Sequence, residues 1–308
     1  MNKTMKAAQI NRYGADAVEI NPDAPPPVPE KGKIVVKVHA AGVNPFDWKL
    51  REGYMQSVIA LTFPATLGGD FSGVAVETGE EVYGQAIVVG GGSGSFAEFA
   101  LAPTKSIARK PKAVSHLEAA AIPLTGVSAL QVLTEHMQLS AGQEILIHGG
   151  AGGIGTMAIQ VAKHIGAYVA TTATGDELTY VKELGADEAI DYKKQRFEEV
   201  VQNYDAVFDT VGGETYARSF QVLKKGGVVV SMIEQPNEAL MKQQGATAIA
   251  QNTRVTTERL EKLAALVDQG TIKVHIDKIF PLEEAGEALT YLQTGHPRGK
   301  VVIQVREN

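Results

Sequence analysis

Residues 144–166, EILIHGGAGGIGTMAIQVAKHIG, contain the pattern that most constrains the fold of this chain. The apolar run at 145–147 is typical of a buried strand, and a glycine-dense turn follows it at 148–155. Beyond the turn, apolar residues from Met157 to Ile165 recur at helical spacing. The stretch therefore predicts a strand, a tight turn and a helix in direct succession.

The turn satisfies the spacing G-x-G-x-x-G with Gly150, Gly152 and Gly155. We expect Gly150 to make the tight turn, Gly152 to admit a pyrophosphate close to the backbone, and Gly155 to let the helix lie on the strand. Free N–H groups at the helix start would then bind the diphosphate. A glycine turn with a purely structural role is the alternative. The candidate diphosphate-binding residues are consecutive: Gly150, Ala151, Gly152, Gly153, Ile154 and Gly155.

Length and charge exclude several function classes. The 308 residues are enough for two domains with their own cores. The net charge of −6 argues against a nucleic-acid partner or an anionic membrane surface. The chain has no cysteine, which excludes disulfides and thiolate catalysis. The N-terminal residues lack the apolar core of a signal peptide, so we expect a soluble cytoplasmic protein with neither a membrane nor a nucleic-acid partner.

Alternating strand and helix patterns between 144 and 233, including a helix near 195–202, predict an α/β fold with a doubly wound parallel sheet. Glycine-punctuated short strands at 67–103 predict a small antiparallel barrel. The last apolar run, 301–305, must pair with another strand, and the barrel is the expected place. We therefore predict a barrel domain formed by residues 1–118 and 272–308, and an inserted dinucleotide-binding domain at 119–271, which includes a helix at 256–268.

The end of the second predicted strand of the inserted domain indicates which dinucleotide is bound. Sites for NAD usually place an acidic residue there to bond the ribose 2′-hydroxyl. Here the strand ends TTATG at 171–175, and these small residues leave room for a 2′-phosphate. Asp176 and Glu177 follow directly and would weaken this inference if they faced the ribose. The pattern favours NADPH.

Motifs spread over nearly the full length resemble the zinc-independent NADPH:quinone oxidoreductase branch of the medium-chain dehydrogenase/reductase family. They are AGVNPFDWK, LGGDFSG, PLTGVSA, LIHGGAGGIG, KELGADEAIDY, VFDTVGG, FPLEEAGEAL and GHPRGKVVI. The resemblance implies a GroES-like β-barrel domain with an inserted Rossmann domain, and an NADPH site in the cleft between them. It also implies a homodimer, for which 246–252 is a candidate edge strand.

The resemblance implies that no catalytic metal is bound. Zinc-dependent relatives use a cysteine where this chain has Asn44, and a His-Glu pair where it has Gly69 and Asp70. The four-cysteine structural zinc loop is absent as well. With these ligands missing, the sequence offers no tetrahedral zinc site.

By position, Asn44 matches the residue that lies against the nicotinamide. Further residues match positions at the nicotinamide, the ribose or the adenosine phosphate. They are Thr125, Thr172, Thr174, Gly175, Tyr192, Val211, Gly212, Met232, Ile233 and Lys300. One departure concerns the 2′-phosphate: many relatives carry a lysine where this chain has Leu178, which weakens the expected preference for NADPH.

Quinones and α,β-unsaturated carbonyls suit hydride transfer without a metal, because resonance spreads the charge that they gain. Asn44, Lys49 and Tyr54 are the candidate catalytic residues, although Lys49 and Tyr54 could equally be surface residues on a helical turn. We expect His148 to pack rather than to catalyse, and Asp209 to brace the loop before Gly212.

The implied activity is NADPH-dependent reduction of quinones or other activated carbonyl and enone acceptors. Three alternatives remain open. One is a 2-alkenal or enone double-bond reductase in the strict sense, and another is a non-catalytic NADPH-binding protein that serves as a redox sensor. The third is a zinc alcohol dehydrogenase, which metal analysis and chelators would exclude.

Overall fold

The computed structural model describes residues 4–58 and 60–306. Its strands are β1 Met5–Ile10, β2 Val18–Ala24, β3 Lys33–Val43, β4 Ala65–Thr66, β5 Asp70–Ala75, β6 Glu81–Gln85, β7 Phe99–Pro103, β8 Ile107–Arg109, β9 Glu144–Ile147, β10 Tyr168–Ala173, β11 Glu188–Asp191, β12 Tyr204–Asp209, β13 Leu223–Ser231, β14 Thr247–Ala250, β15 Ile276–Pro281 and β16 Lys300–Gln304. Its α-helices are α1 Pro45–Arg51, α2 His116–Ala120, α3 Pro123–Gln131, α4 Gly153–Ile165, α5 Glu177–Glu183, α6 Gly213–Ser219, α7 Glu238–Gln244, α8 Thr257–Asp268 and α9 Ala285–Thr294.

The chain divides into two compact units. The barrel unit comprises the residues up to Leu124 together with those from Val255 onward, and the Rossmann unit comprises Thr125–Arg254. Along the chain, the residues of the Rossmann unit thus lie between the two segments of the barrel unit. The boundaries lie at 124/125 and 254/255 rather than at the predicted 118/119 and 271/272.

The second boundary differs because helix α8 belongs to the barrel unit and not to the dinucleotide-binding domain. The Tyr83 hydroxyl on β6 donates to the Leu260 carbonyl at 2.5 Å. The Ala113 amide donates to the Asp268 carboxylate at 2.9 Å. The helical periodicity correctly predicted the helix, but periodicity carries no information about which sheet a helix packs on.

The barrel unit is built on mostly antiparallel strands. One sheet has the order β2-β1-β4, and a second has the order β15-β16-β3-β5-β6-β8, with β7 also paired to β3. Strand β16 lies antiparallel to β3, with Val302 opposite Gly42. The C-terminal strand therefore closes onto the N-terminal barrel, as predicted. Its apolar residues enter a core that also contains Ile10, Phe96 and Leu289.

The Rossmann unit contains six parallel strands in the order β11-β10-β9-β12-β13-β14. Counted along the chain this is 3-2-1-4-5-6, the strand order of dinucleotide-binding folds. Successive strands contribute Leu146, Ala170, Ile190, Val207 and Val229 to one core. The order reverses beside β9, so the ends of β9, β10 and β12 are where a ligand is expected.

One predicted local feature is wrong. The helix expected near 195–202 is only a 3₁₀ turn, Phe197–Glu199. Asn203, in the left-handed region at φ +61°, directly precedes β12.

Arg51 is fully buried at the end of α1. Its positive charge is balanced by the carboxylate of Glu52. Its Nη2 donates to Glu52 Oε1 and Gln293 Oε1, both at 2.8 Å. We expect Glu52→Gln to lower the free energy of unfolding by about 3 kcal/mol, because it leaves a buried guanidinium without a counter-charge. Urea denaturation followed by circular dichroism measures this change.

The matched control for this substitution is Glu258→Gln on α8. Glu258 pairs with Lys262 at 2.8 Å, but both side chains are largely exposed. Exposed pairs contribute little, so the urea midpoint should not move. Equal effects of the two substitutions would contradict the assigned role of the buried charge.

Among residues 4–58 and 60–306, no helix combines the length and the apolar character needed to cross a bilayer.

Candidate active site

The glycine turn lies between strand β9 and helix α4, as predicted. The structural roles of its glycines differ from those predicted. Gly149, not Gly150, adopts the left-handed conformation at φ +70°. A Cβ on Gly150 would lie 2.1 Å from Thr171 Oγ1, so this glycine allows close packing against β10. The role predicted for Gly150 is therefore corrected to Gly149.

Gly152 and Gly155 have the geometry predicted for them. Gly152 is the N-cap of α4, and the nearest atom to a Cβ placed there is Gly149 O at 3.4 Å. That side of the turn is open. A Cβ on Gly155 would lie 2.2 Å from Gly149 O, so only glycine lets the helix approach the turn. The 13-residue helix directs its free N–H groups toward the open side.

Thr172 braces the turn from β10 and is itself only 5% exposed. Its hydroxyl accepts the Gly149 N–H at 3.1 Å, and its carbonyl accepts the Gly150 N–H at 3.0 Å. The same hydroxyl lies 3.2 Å from His148 Nδ1. Thr172 was predicted near the adenosine phosphate, and the structure shows its hydroxyl already engaged in holding the turn.

His148 is buried below the turn, where its two ring nitrogens lie within hydrogen-bond distance of hydroxyls. Nδ1 contacts Thr172 and Nε2 lies 3.1 Å from Ser219 Oγ. Burial lowers the pKa of His148 to about 4, so the ring is neutral near pH 7. Its placement agrees with the expected packing role.

Two carboxylates accept hydrogen bonds from Thr174 at the end of β10, and one of them, Asp191, pairs with Lys194 at 3.3 Å. The Thr174 N–H donates to Glu177 Oε2, and the Thr174 hydroxyl donates to Asp191 Oδ1, both at 3.1 Å. Gly175 follows at φ +55°, and Tyr192 is half exposed beyond Asp191. The predicted residues Thr174, Gly175 and Tyr192 do lie together here. The N–H and the hydroxyl of Thr174, however, are bonded to the carboxylates of Glu177 and Asp191, of which the sequence analysis considered only Glu177.

The ends of β12 and β13 are joined through Asp209. Its Oδ1 accepts the N–H groups of Val211 and Gly212 at 3.0 Å, and its Oδ2 accepts the Ser231 hydroxyl at 2.6 Å. Asp209 thus braces the loop, as predicted. Val211 is more than half exposed as a result.

The predicted residues Gly212, Met232 and Ile233 meet at this edge. The Met232 N–H donates to the Asp209 carbonyl at 2.9 Å. A Cβ on Gly212, which has φ +80°, would lie 2.8 Å from Ile233 Cγ2. Ile233 is about half exposed. Together with the glycine turn, these residues place the predicted cofactor contacts of the Rossmann unit at the carboxyl ends of its strands.

The barrel unit holds a buried polar cluster formed by Asn44, Asp47, Asp70 and Lys300. Lys300 Nζ donates to Asn44 Oδ1 at 2.6 Å and to the Val43 carbonyl at 2.8 Å. Asn44 Nδ2 donates to Asp70 Oδ2 at 2.9 Å. The Asn44 backbone N–H donates to Asp47 Oδ2 at 2.8 Å. The cluster gathers strands β5 and β16 around the start of α1.

Burial is the largest cause of the pKa shifts of the ionisable groups in this cluster. It raises the pKa of Asp47 to about 7, with the backbone bond from Asn44 opposing the shift. Burial also raises the pKa of Asp70, opposed by the charge of Lys300. It lowers the pKa of Lys300, opposed by the charges of Asp70 and Asp47. Two carboxyls and one ammonium therefore share a site with little access to water.

Lys49 on α1 and Tyr54 shortly after this helix are not part of the cluster. Lys49 Nζ stands 5.6 Å from the centroid of the Trp48 ring, and the Tyr54 ring meets that ring edge-on at 5.6 Å. Tyr54 is 64% exposed. Both side chains thus lie next to the Trp48 ring. Thr125, at the first turn of α3, is buried at 4% exposure.

The donor set does not suit zinc. The chain has no cysteine, and within 4–58 and 60–306 no three His, Asp or Glu side chains are grouped so that they could hold a metal. Asn44, which the sequence analysis matched to a cysteine ligand of zinc-dependent relatives, is an amide held by an ammonium and a carboxylate. Soft ligands of the kind that zinc prefers are missing.

The sequence of this chain is similar to those of known proteins. A profile described as zinc-binding dehydrogenase matches residues 184–303, and one described as alcohol dehydrogenase GroES-like domain matches residues 30–112. The chain is 36% identical to the 2-methylene-furan-3-one reductase of Solanum lycopersicum, over 97% of this chain and 79% of that protein. It is 31% identical to the chloroplast envelope quinone oxidoreductase homolog of Arabidopsis thaliana, over 98% and 99%.

The chain belongs to the quinone oxidoreductase branch of the medium-chain dehydrogenase/reductase family. It is an NAD(P)H-dependent oxidoreductase of quinone reductase type, and its branch is zinc-independent. Among solved structures, the quinone oxidoreductase from Coxiella burnetii superposes with a TM-score of 0.88 at 34% identity, over 98% of this chain and 99% of that chain. A mycobacterial structure complexed with NADPH superposes with a TM-score of 0.87 at 26% identity, over 98% and 100%.

Sequence reasoning missed two parts of this quinone reductase-like site. Asp70 was considered only as the replacement of a metal-motif residue, yet it is fully buried and bonded to Asn44. Asp191 and Glu177 were not connected with Thr174. A signal for Asp70 existed, since an aspartate at the start of an otherwise apolar strand must find hydrogen-bond donors.

Proposed function

We propose that this protein transfers hydride from NADPH to quinones or other activated carbonyl and enone acceptors. The observation that carries the proposal is the open glycine turn at the start of α4, combined with an amide, ammonium and carboxylate cluster where relatives bind zinc. NADPH, when bound, supplies a hydride from its nicotinamide ring. The fit of the diphosphate rests on Gly152, because a larger residue there would fill the open side of the turn.

The chain's own residues bind the cofactor, orient it and exclude water from it. The N–H groups at 153–155 hold the diphosphate at the positive end of α4, whereas the Gly152 N–H donates to the Gly149 carbonyl. Val211, Gly212, Met232 and Ile233 provide an apolar edge for the ribose and the ring. Asn44 contacts the nicotinamide, and Lys49 and Tyr54 are polar groups available to the acceptor. No strong general acid is required, since water can protonate a delocalised product anion.

The names of relatives favour a second candidate function, reduction of the double bond of 2-alkenals or enones in the strict sense. One relative is the 2-methylene-furan-3-one reductase cited above, and another, 34% identical, is the NADPH-dependent alkenal/one oxidoreductase of Arabidopsis thaliana. Both acceptor classes place an electron-poor carbon beside a carbonyl group. The two functions differ in whether the product is a hydroquinone or a saturated carbonyl compound.

Steady-state NADPH oxidation with a quinone panel and a matched 2-alkenal panel tests the proposal. Turnover of quinones at higher kcat/KM supports the first function, and turnover of alkenals alone supports the second. Saturable NADPH binding without oxidation by any acceptor would contradict both and favour the non-catalytic redox sensor.

The preference for NADPH over NADH leads to a prediction at Leu178. The Glu177 carboxylate beside Thr174 repels a 2′-phosphate, Asp191 is paired with Lys194, and Leu178 stands where many relatives have a lysine. We expect Leu178→Lys to tighten NADPH binding by roughly tenfold through a charge-assisted contact, with NADH binding unchanged. Calorimetric titration of the enzyme with both cofactors measures this, and Leu178→Met is the matched neutral control. Equal tightening for NADPH and NADH would contradict the assigned position of the phosphate.

We also propose a homodimer through β14, an edge strand of the six-stranded sheet. An edge strand leaves backbone groups available for a second strand. Ala250→Lys places a charge on that edge and should shift the mass measured by light scattering from dimer to monomer. A wild-type monomer would contradict this assembly. A cytoplasmic location is compatible with the lack of cysteine, and cell fractionation tests it.

A further inference from the structure

The Asn44 side chain lies between a cation and an anion, all three buried. Lys300 Nζ is 2.6 Å from Asn44 Oδ1, and Asp70 Oδ2 is 2.9 Å from Asn44 Nδ2. Lys300 and Asp70 are 3% and 0% exposed. The three residues come from β16, the cap of α1 and the start of β5. Three separate elements therefore converge on one amide.

The chemistry of the two neighbours leaves the amide only one orientation. An ammonium group can only donate, and an ionised carboxylate can only accept. Asp70 behaves as an acceptor throughout, because it also receives the Leu124 N–H at 3.0 Å and Gln85 Nε2 at 3.1 Å. Turning the amide over would set its NH₂ against Lys300 and its oxygen against Asp70. Both contacts would then be repulsive.

The opposed charges leave one N–H of the amide unused. An asparagine side chain has two N–H donors and two lone pairs. Lys300 donates to the Asn44 oxygen, which also faces the Asp47 N–H in the capping box of α1, and Asp70 accepts one N–H. Lys300 donates a second N–H to the Val43 carbonyl. The remaining N–H of Asn44 thus has a fixed direction before any ligand arrives.

We propose that Asp70 and Lys300 are positioning residues that act through Asn44, holding its amide in the single orientation in which it meets the nicotinamide. The inference rests on the proposed function, in which Asn44 contacts the cofactor. It also gives Lys300 a different role from direct cofactor binding. A buried charge pair is a poor way to add stability, but it is an effective way to fix geometry.

Three variants test this role: Asp70→Asn, Lys300→Met, and the two combined. Each single change removes one of the two contacts that fix the amide and should lower kcat for NADPH oxidation roughly 10-fold, and the double change, which removes both, should lower it up to roughly 100-fold. The KM for NADPH should change less than kcat, because the diphosphate turn is untouched. Each single variant should also have a lower Tm, since it leaves one buried charge without its partner.

The double variant separates positioning from stability. It leaves neither charge unpaired, so its Tm should recover toward that of the wild type while kcat stays low. If kcat recovered together with Tm, or if either single variant kept wild-type kcat, the positioning role would be overturned. Should the single variants fail to fold, the double variant alone supplies the comparison.

A readout without cofactor keeps this inference distinct from the proposed function. In the unliganded wild type, the Asn44 side-chain amide proton that is donated to Asp70 should be protected from hydrogen exchange in NMR spectra, and in the double variant that protection should be lost. Absence of NADPH oxidation by the wild type would overturn the proposed function only. Lack of protection of this Asn44 proton in the wild type would overturn the positioning role itself.

Discussion

Replacing Gly155 with alanine should weaken NADPH binding at least roughly 100-fold, which corresponds to about 2.7 kcal/mol. The added Cβ would stand 2.2 Å from Gly149 O and 2.7 Å from Gly150 Cα. Both are backbone atoms, so the turn that holds the diphosphate must move. The overpacking should also cost about 1–3 kcal/mol of folding stability. Calorimetric titration with NADPH and urea denaturation measure the two effects.

Gly152→Ala is the matched control for this substitution. Its Cβ meets nothing closer than Gly149 O at 3.4 Å, so the protein should fold with at most about 1 kcal/mol lost at the helix cap. The methyl group nevertheless occupies the open side of the turn and should weaken NADPH binding. Wild-type affinity in both variants would show that the cofactor binds elsewhere.

Asp47→Asn should stabilise the protein above neutral pH by a few kcal/mol. The folded protein raises the pKa of Asp47 to about 7, chiefly by burial, from an ordinary value of 3.8. Between these values the unfolded chain binds fewer protons than the folded one, so stability falls as pH rises. The loss is complete above the folded pKa. A shift of about three pKa units corresponds to roughly 4 kcal/mol at most.

The pH profile of the difference between variant and wild type isolates this group. Below pH 4 the side chain is neutral in both states, and the two proteins should differ by a constant amount. From pH 4 to 7 the advantage of the variant should grow, and above 7 it should level off. Asparagine can still accept the Asn44 N–H, whereas Asp47→Ala cannot and serves as the control. A difference independent of pH would contradict the burial of an ionisable Asp47.

Local sequence patterns predicted much of the fold. The six strands of the inserted domain follow from short apolar runs separated by helical segments, and their 3-2-1-4-5-6 order agrees with the glycine fingerprint after the first strand. The C-terminal run could be assigned to the barrel because an apolar strand needs a partner. These inferences succeed because each depends on a few neighbouring residues or on a strong topological rule.

Assignments that depended on contact partners succeeded less well. Thr172 has the residue type of a phosphate ligand, yet its hydroxyl is directed to the Gly149 N–H. Helix α8 has a clear periodicity, yet it packs in the barrel unit. Gly149 and Gly150 are adjacent and chemically identical, and only their backbone angles distinguish the turn from the packing contact.

The sequence by itself determined the dinucleotide turn, the inserted parallel sheet, the family and the lack of cysteine ligands for zinc. These are properties of composition, spacing and local pattern. Only the tertiary structure decided how Asn44 is held, because Lys300 lies 256 residues away along the chain and Asp70 lies 26 away. A buried charge is tolerated only where opposite charges and hydrogen-bond partners surround it. Here those partners come together only when β5, β16 and α1 pack against one another in the folded protein.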